Sequence, residues 1–177
     1  MATKSSSRRS PGPAQKSEGA DPPEQALPRN LPLLLLQARE AVISHFRPIL
    51  NHGGVTEQQW RIVRALYESG PLEPREICDI CQMLSPSLVG VLARMEEMGL
   101  INRERVDFDQ RRVMVTLTSK GRTLVRKLTP LIREQYRLIE EAMGSHLVAD
   151  VYRLLDRLLL INDREIPQAL ATGVLER

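Results

Sequence analysis

The side chains best placed to do chemistry in this chain are cations. Arg111 and Arg112 sit side by side in RVDFDQRRVMVTLTSKG, and Ser85 to Lys127 carries nine Lys or Arg against five Asp or Glu. Guanidinium groups on a short loop between extended runs suit phosphate or a narrow, electronegative groove; the alternative is a solvated hairpin whose charges only maintain solubility. Other groupings are thinner. Cys78 and Cys81 form a lone CxxC pair, and His45, His52 and His146 lack the spacing that would complete a zinc site. The pair also lacks the strand-to-helix setting that lowers a thiol pKa, so the two read as small buried hydrophobes. Two cysteines exclude a disulfide framework. The pairs Glu96-Glu97 and Glu140-Glu141 point to different sides of their helices, and no Ser-His-Asp or metal grouping stands out. No catalysis, cofactor or metal is expected.

The elements that must position the basic hairpin can be read on either side of it. Ser85 reads as an N-cap and Pro86 as a first-turn residue, with Leu88, Val91, Leu92, Met95 and Met98 at helical spacing up to Gly99. Ile101–Val106 and Arg112–Leu117 read as short strands joined by a polar Asp107-Phe108-Asp109-Gln110 turn. Upstream, Thr56 and Gln59 form a capping box, with Trp60, Val63, Leu66 and Tyr67 as the apolar face behind it, and Gly70-Pro71 stops that helix. Pro74 opens a short helix through Ile77 and Ile80. Two short helices, a tight turn and a basic hairpin outline a winged helix-turn-helix, a mainly α fold with a small β-hairpin wing.

The flanks are helical. The run LPLLLLQAREAVISHF is apolar on more than one side, with a mildly polar seam of Gln37, Ala41 and Ser44, and Pro48 should end or bend it. Thr118 should cap a long helix bent at Pro130 and broken at Gly144-Ser145, after which Leu147, Val151, Leu154, Leu155, Leu158 and Leu159 mark another. These faces exceed what a small winged lobe needs and suggest a helical dimer interface, as a twofold DNA reader requires. The expected layout is a disordered basic arm over 1–29, with Lys4, Arg8, Arg9 and Lys16, then a winged-helix domain over 30–163 and a tail over 164–177. Within the domain, helices at about 31–50 and 118–163 would form the dimerisation region and about 55–117 the DNA-binding lobe.

The bulk numbers fit. A net charge of +3 is only mildly basic, and 3% aromatic residues argue against stacking platforms for single strands, leaving double-stranded DNA. Leu33–Leu36 is far short of a membrane span and no signal-peptide layout is present, so a cytoplasmic protein without membrane contact is expected.

The wing motif DFDQRRVMVTLTSKG, with Asp109, Arg111, Leu117, Thr118 and Gly121, resembles that of the MarR family of winged-helix regulators, over about residues 31–163. The segments LLQAREAVISHFRPIL, TEQQWRIVRAL and PSLVGVLARME look like the homoprotocatechuate degradation operon regulator (HpaR) branch, although the basic arm is outside that pattern. The resemblance implies a homodimeric repressor of aromatic-acid catabolic genes. It would leave a palindromic double-stranded operator on binding a small aromatic carboxylic acid such as a hydroxyphenylacetate or indole acetate. It places the recognition helix at Ser85–Met98, with Ser85, Pro86, Ser87 and Gly90 nearest the groove floor and Arg94 near a phosphate. Arg111 would enter the minor groove, steadied by Asp109, beside Arg112. For the effector, Trp60 and Arg61 with Ser44 could supply a flat wall, a carboxylate partner and a hydroxyl, with Arg39 as a second cation. A cysteine redox sensor of the same fold and a winged-helix protein-interaction module are the rival readings.

Overall fold

A computed structural model describes residues 29–106 and 109–161, with the side chains of 106–111 outside that description. The basic arm and the C-terminal tail expected from sequence therefore lie outside the described residues. The chain divides into two compact units, residues 1–38 and residues 39–177. In the first, Asn30 accepts the Leu33 N–H at 3.0 Å and opens α1 (Leu31–Ser44), which continues into the second unit and has no buried residue.

In the second unit, turn chemistry sets the helix boundaries. The break after α1 falls at His45-Phe46, and Pro48 sits in the first turn of a separate short helix, α2 (Arg47–His52). The expectation that Pro48 ends or bends the preceding helix is met, since α1 stops at Ser44, the residue whose carbonyl a proline at 48 cannot serve. A first-turn position also needs no N–H, so the same proline begins α2. Thr56 and Gln59 make the capping box at α3 (Glu57–Ser69), with Thr56 N–H to Gln59 Oε1 at 2.9 Å and Gln59 N–H to Thr56 Oγ1 at 3.3 Å. Its buried face is Gln59, Ile62, Val63, Ala65 and Leu66; Trp60 is half-buried and Tyr67 exposed, a rotation of the stripe from the one read in sequence.

Pro74 opens α4 (Pro74–Cys81), and Gln82 then takes a left-handed conformation (φ 48°) that turns the chain sharply. After three residues α5 (Ser85–Glu97) leaves at 109° to α4, the geometry of a helix-turn-helix. The N-cap of α5 is Leu84, not Ser85: the Leu84 carbonyl accepts from Ser87 and Leu88, while the Ser85 hydroxyl lies 3.6 Å from Cys78 Sγ. Leu88, Val91, Leu92 and Met95 are buried as their spacing predicts, and Met98 is half-buried.

The wing is an antiparallel pair, β1 (Ile101–Val106) and β2 (Asp109–Leu117), in register from Ile101 opposite Leu117 to Arg105 opposite Val113, with an irregularity before Val106. Backbone pairing extends to Asp109, so the strand is longer than the Arg112–Leu117 run and Asp109 and Gln110 are not turn residues; pairing uses backbone groups and does not require alternating side chains. Leu72 exchanges both backbone bonds with Val115 (3.1 and 2.8 Å), tying the hairpin to the entrance of α4. Thr118 caps α6 (Ser119–Met143) by accepting the Gly121 N–H at 3.0 Å and donates to the Gly99 carbonyl at 2.7 Å. The helix continues through Pro130 to Gly144 (φ 85°), after which α7 (Ser145–Ile161) begins. The core lies among α2–α5, the wing base and the first turns of α6, around Leu50, Ile62, Leu66, Ile77, Met95 and Leu128; α7 contributes no buried residue. Among the described residues no single helix is long and apolar enough to cross a membrane.

Candidate nucleic-acid interface and effector site

The outward surface of α5 begins with small groups. Ser85, Pro86, Ser87, Val89, Gly90 and Arg94 are all exposed, opposite the buried stripe that fixes the helix against the core. A Cβ built on Gly90 would meet nothing within 4 Å, so no internal contact demands a glycine there. Arg94, one turn beyond Gly90, lines an open cleft with Thr56–Gln59 at the start of α3. Glu97 and Glu96 follow, and Glu96 is engaged by Arg103 Nε of β1 at 2.8 Å, which holds its carboxyl below the usual range.

At the wing, Arg112 is exposed and its Nε donates to Glu73 Oε1 at 2.7 Å, joining β2 to the N-cap of α4. The backbones of Asp109 and Arg111 lie in β2, and their side chains are outside the description.

The four residues expected to meet an effector are placed differently from one another. Trp60 packs half-buried against the core. Arg61 is half-buried and reaches α4, where its Nη1 donates to the Cys81 carbonyl at the helix end at 2.6 Å. Its Nε is buried without a hydrogen-bond acceptor among the described residues, 4.0 Å from Glu57. Arg39 pairs with Glu57, which also lies 4.0 Å from Arg47. Ser44 is exposed and donates to the Ala41 carbonyl at 2.8 Å, within its own helix. Three guanidinium groups thus gather around one carboxylate that is 19% exposed. A second grouping was missed in sequence. Phe46, which is buried, and Tyr136 of α6, which is exposed, stand with ring centroids 4.8 Å apart, tilted by 53°. Arg64, one helical turn after Trp60, bonds Glu68 at 2.7 Å, and that carboxylate, then Tyr136, holds its guanidinium above its ordinary pKa. The available signal was the i, i+4 spacing of Trp60 and Arg64.

Cys81 is buried, which pushes its thiol pKa up; Cys78 is half-buried, and both are free. A thiol held protonated is a poor nucleophile, which weakens the redox reading.

Residues 53–112 match the model of the MarR family. The chain is 40% identical over 141 residues to the HTH-type transcriptional regulator FarR of Neisseria gonorrhoeae, spanning 80% of this chain and 97% of that one. It is 39% identical over 134 residues to the homoprotocatechuate degradative operon repressor of Escherichia coli, spanning 76% of this chain and 90% of that one. Among solved structures, NadR in complex with 4-hydroxyphenylacetate is similar at 40% identity and a TM-score of 0.65, over 77% of this chain and 96% of that one. The outward helix, the anchored hairpin and a likeness that runs nearly the whole length of such regulators agree: the chain belongs to the MarR family of winged helix-turn-helix transcriptional regulators.

Proposed function

We propose that this regulator is a homodimeric repressor of aromatic-acid catabolic genes, bound to a twofold operator and released by a small aromatic carboxylic acid such as a hydroxyphenylacetate or indole acetate. The observation that carries the DNA half is the open face of α5, where Ser85, Pro86, Ser87 and Gly90 leave the backbone close to solvent at the helix N-terminus. Small groups there permit close approach, and Arg94 adds a phosphate contact. Asp109, Arg111 and Arg112 carry the wing contacts. The exposed leucines of α7 and the outer half of α6 support a second copy as their cover.

For the effector half, the similarity to NadR bound to 4-hydroxyphenylacetate and to the homoprotocatechuate operon repressor supports the ligand class. Trp60, with Arg64 and the Phe46–Tyr136 pair, offers flat apolar walls and a cation for a carboxylate. Arg61 acts indirectly: it ties α3 to the end of α4, so a shift of α3 around a ligand would move the recognition helix. Arg39 and Ser44 are assigned secondary roles at that site, a second cation and a hydroxyl.

Trp60 is the sole tryptophan, so its fluorescence reports the site alone. Titrating 4-hydroxyphenylacetate into the full-length protein should give a saturable change in Trp60 emission, abolished by Arg64→Ala. An emission that ignores 4-hydroxyphenylacetate, indole acetate and benzoate alike would remove the effector from the proposal.

A further inference from the structure

The outward face of α5 has a chemical character that a list of small residues hides. Leu88, Val91, Leu92 and Met95 form the buried stripe at i, i+3, i+4 and i+7. Pro86, Val89, Gly90 and Ala93 repeat the same spacing two residues earlier, and two residues of an α-helix turn it by about 200°. They are the opposite stripe. Pro86, Val89 and Gly90 are exposed and Ala93 is half-buried, and none carries a side-chain hydrogen-bonding group.

Val89 is the large hydrophobic side chain of α5 that stands bare, and Leu84, just before the helix, adds to the apolar surface at its start. Leu84, the N-cap of α5, is 77% exposed and Val89 is 66% exposed, the two highest values for large hydrophobic side chains among the described residues. Helix propensity does not ask for valine at an exposed position, since its branched side chain loses rotamer freedom there. Nor does packing, because Val89 faces away from the core.

A helix face without donors or acceptors cannot make the bidentate pairs that identify guanine or adenine. In the major groove a base pair presents one apolar group, the C5-methyl of thymine. We infer that Val89 is a specificity-determining residue that packs against a thymine C5-methyl in the major groove, with Gly90 allowing the backbone to come close enough. The inference rests on the proposed DNA-binding role and deepens it: the central part of each half-site is read by methyl pattern, and Ser85, Ser87 and Arg94 at the edges of the stripe supply the polar contacts.

The test uses the full-length protein and a duplex recovered by selection from a random library, with each thymine of one half-site replaced in turn by deoxyuridine. The exchange removes a methyl group and leaves base pairing intact. For the wild type and for Val89→Ile, one replacement should weaken binding about fourfold, the factor that burial of one methylene-sized group corresponds to. Val89→Ala should bind the thymine duplex about fourfold more weakly and be indifferent to that replacement. The inference is overturned if Val89→Ala discriminates thymine from deoxyuridine at the same position as the wild type does, or if the wild type discriminates at none. Failure of the underlying DNA-binding reading would look different: no duplex would be bound in preference to a scrambled one, and the inference would fall with it.

Discussion

Two glycines separate what the fold requires from what a partner requires. Gly121, three residues into α6, has the Leu100 carbonyl oxygen 2.4 Å and Leu117 Cδ2 2.9 Å from where a Cβ would stand. The glycine of the Leu-Thr-x-x-Gly motif is therefore a packing residue that lets α6 close on the wing base. Gly121→Ala should destabilise the protein by about 1–3 kcal/mol, measured by urea unfolding. Gly90 meets nothing, so Gly90→Ala should stabilise by roughly 0.5–1 kcal/mol through lower unfolded-state entropy, while operator affinity in a parallel titration falls. A stabilised variant that bound as before would assign Gly90 no role at the groove. Cys81 gives a pH-dependent counterpart. Burial raises its folded pKa above that of the unfolded thiol, so its stabilising effect is full below about pH 9 and is lost as pH rises through the folded value. Thermal melts should therefore fall more steeply above pH 9 for the wild type than for Cys81→Ala.

Between elements, the wing is not a free hairpin. Leu72 pairs with Val115, Arg112 reaches Glu73 at the N-cap of α4, and Arg103 reaches Glu96 of α5. Wing and α5 are in this way carried by the same framework. Exposed ion pairs stabilise by at most about 1 kcal/mol, so Arg112→Ala should leave the melting temperature nearly unchanged. It should nevertheless weaken operator binding and flatten its dependence on salt, checked by titrations at two ionic strengths. At this scale the sequence was legible where one local rule decided the outcome: the capping box of α3, the buried stripe of α5, Thr118 at α6. It was misleading where two rules competed. Ser85 and Leu84 could each have capped α5. The contacts of Arg61 with the Cys81 carbonyl and of Arg39 with Glu57 join residues 20 and 18 positions apart, and no periodicity announces them.

For the molecule as a whole, the described chain leaves a helix without a cover. In α7, Leu154, Leu159 and Leu160 are each at least 60% exposed, and no residue of that helix is buried. The surplus was visible in sequence, but which face of α7 would be covered was not, because a helix apolar on several sides gives no phase until its partner is counted. Replacing Leu154 and Leu159 together by Glu should leave the fold intact, since both are mostly exposed, and convert the proposed dimer to a species sedimenting at 20.1 kDa. Such a monomer should lose most of its affinity for a twofold site. The most direct test of the whole account is a titration of the full-length protein with a labelled duplex from its own upstream region, at fixed salt, with and without phenylacetate, hydroxyphenylacetates, indole acetate and benzoates. Binding should be tighter than to a scrambled duplex and lost on addition of at least one of these acids. Equal affinity for the upstream and scrambled duplexes would contradict it.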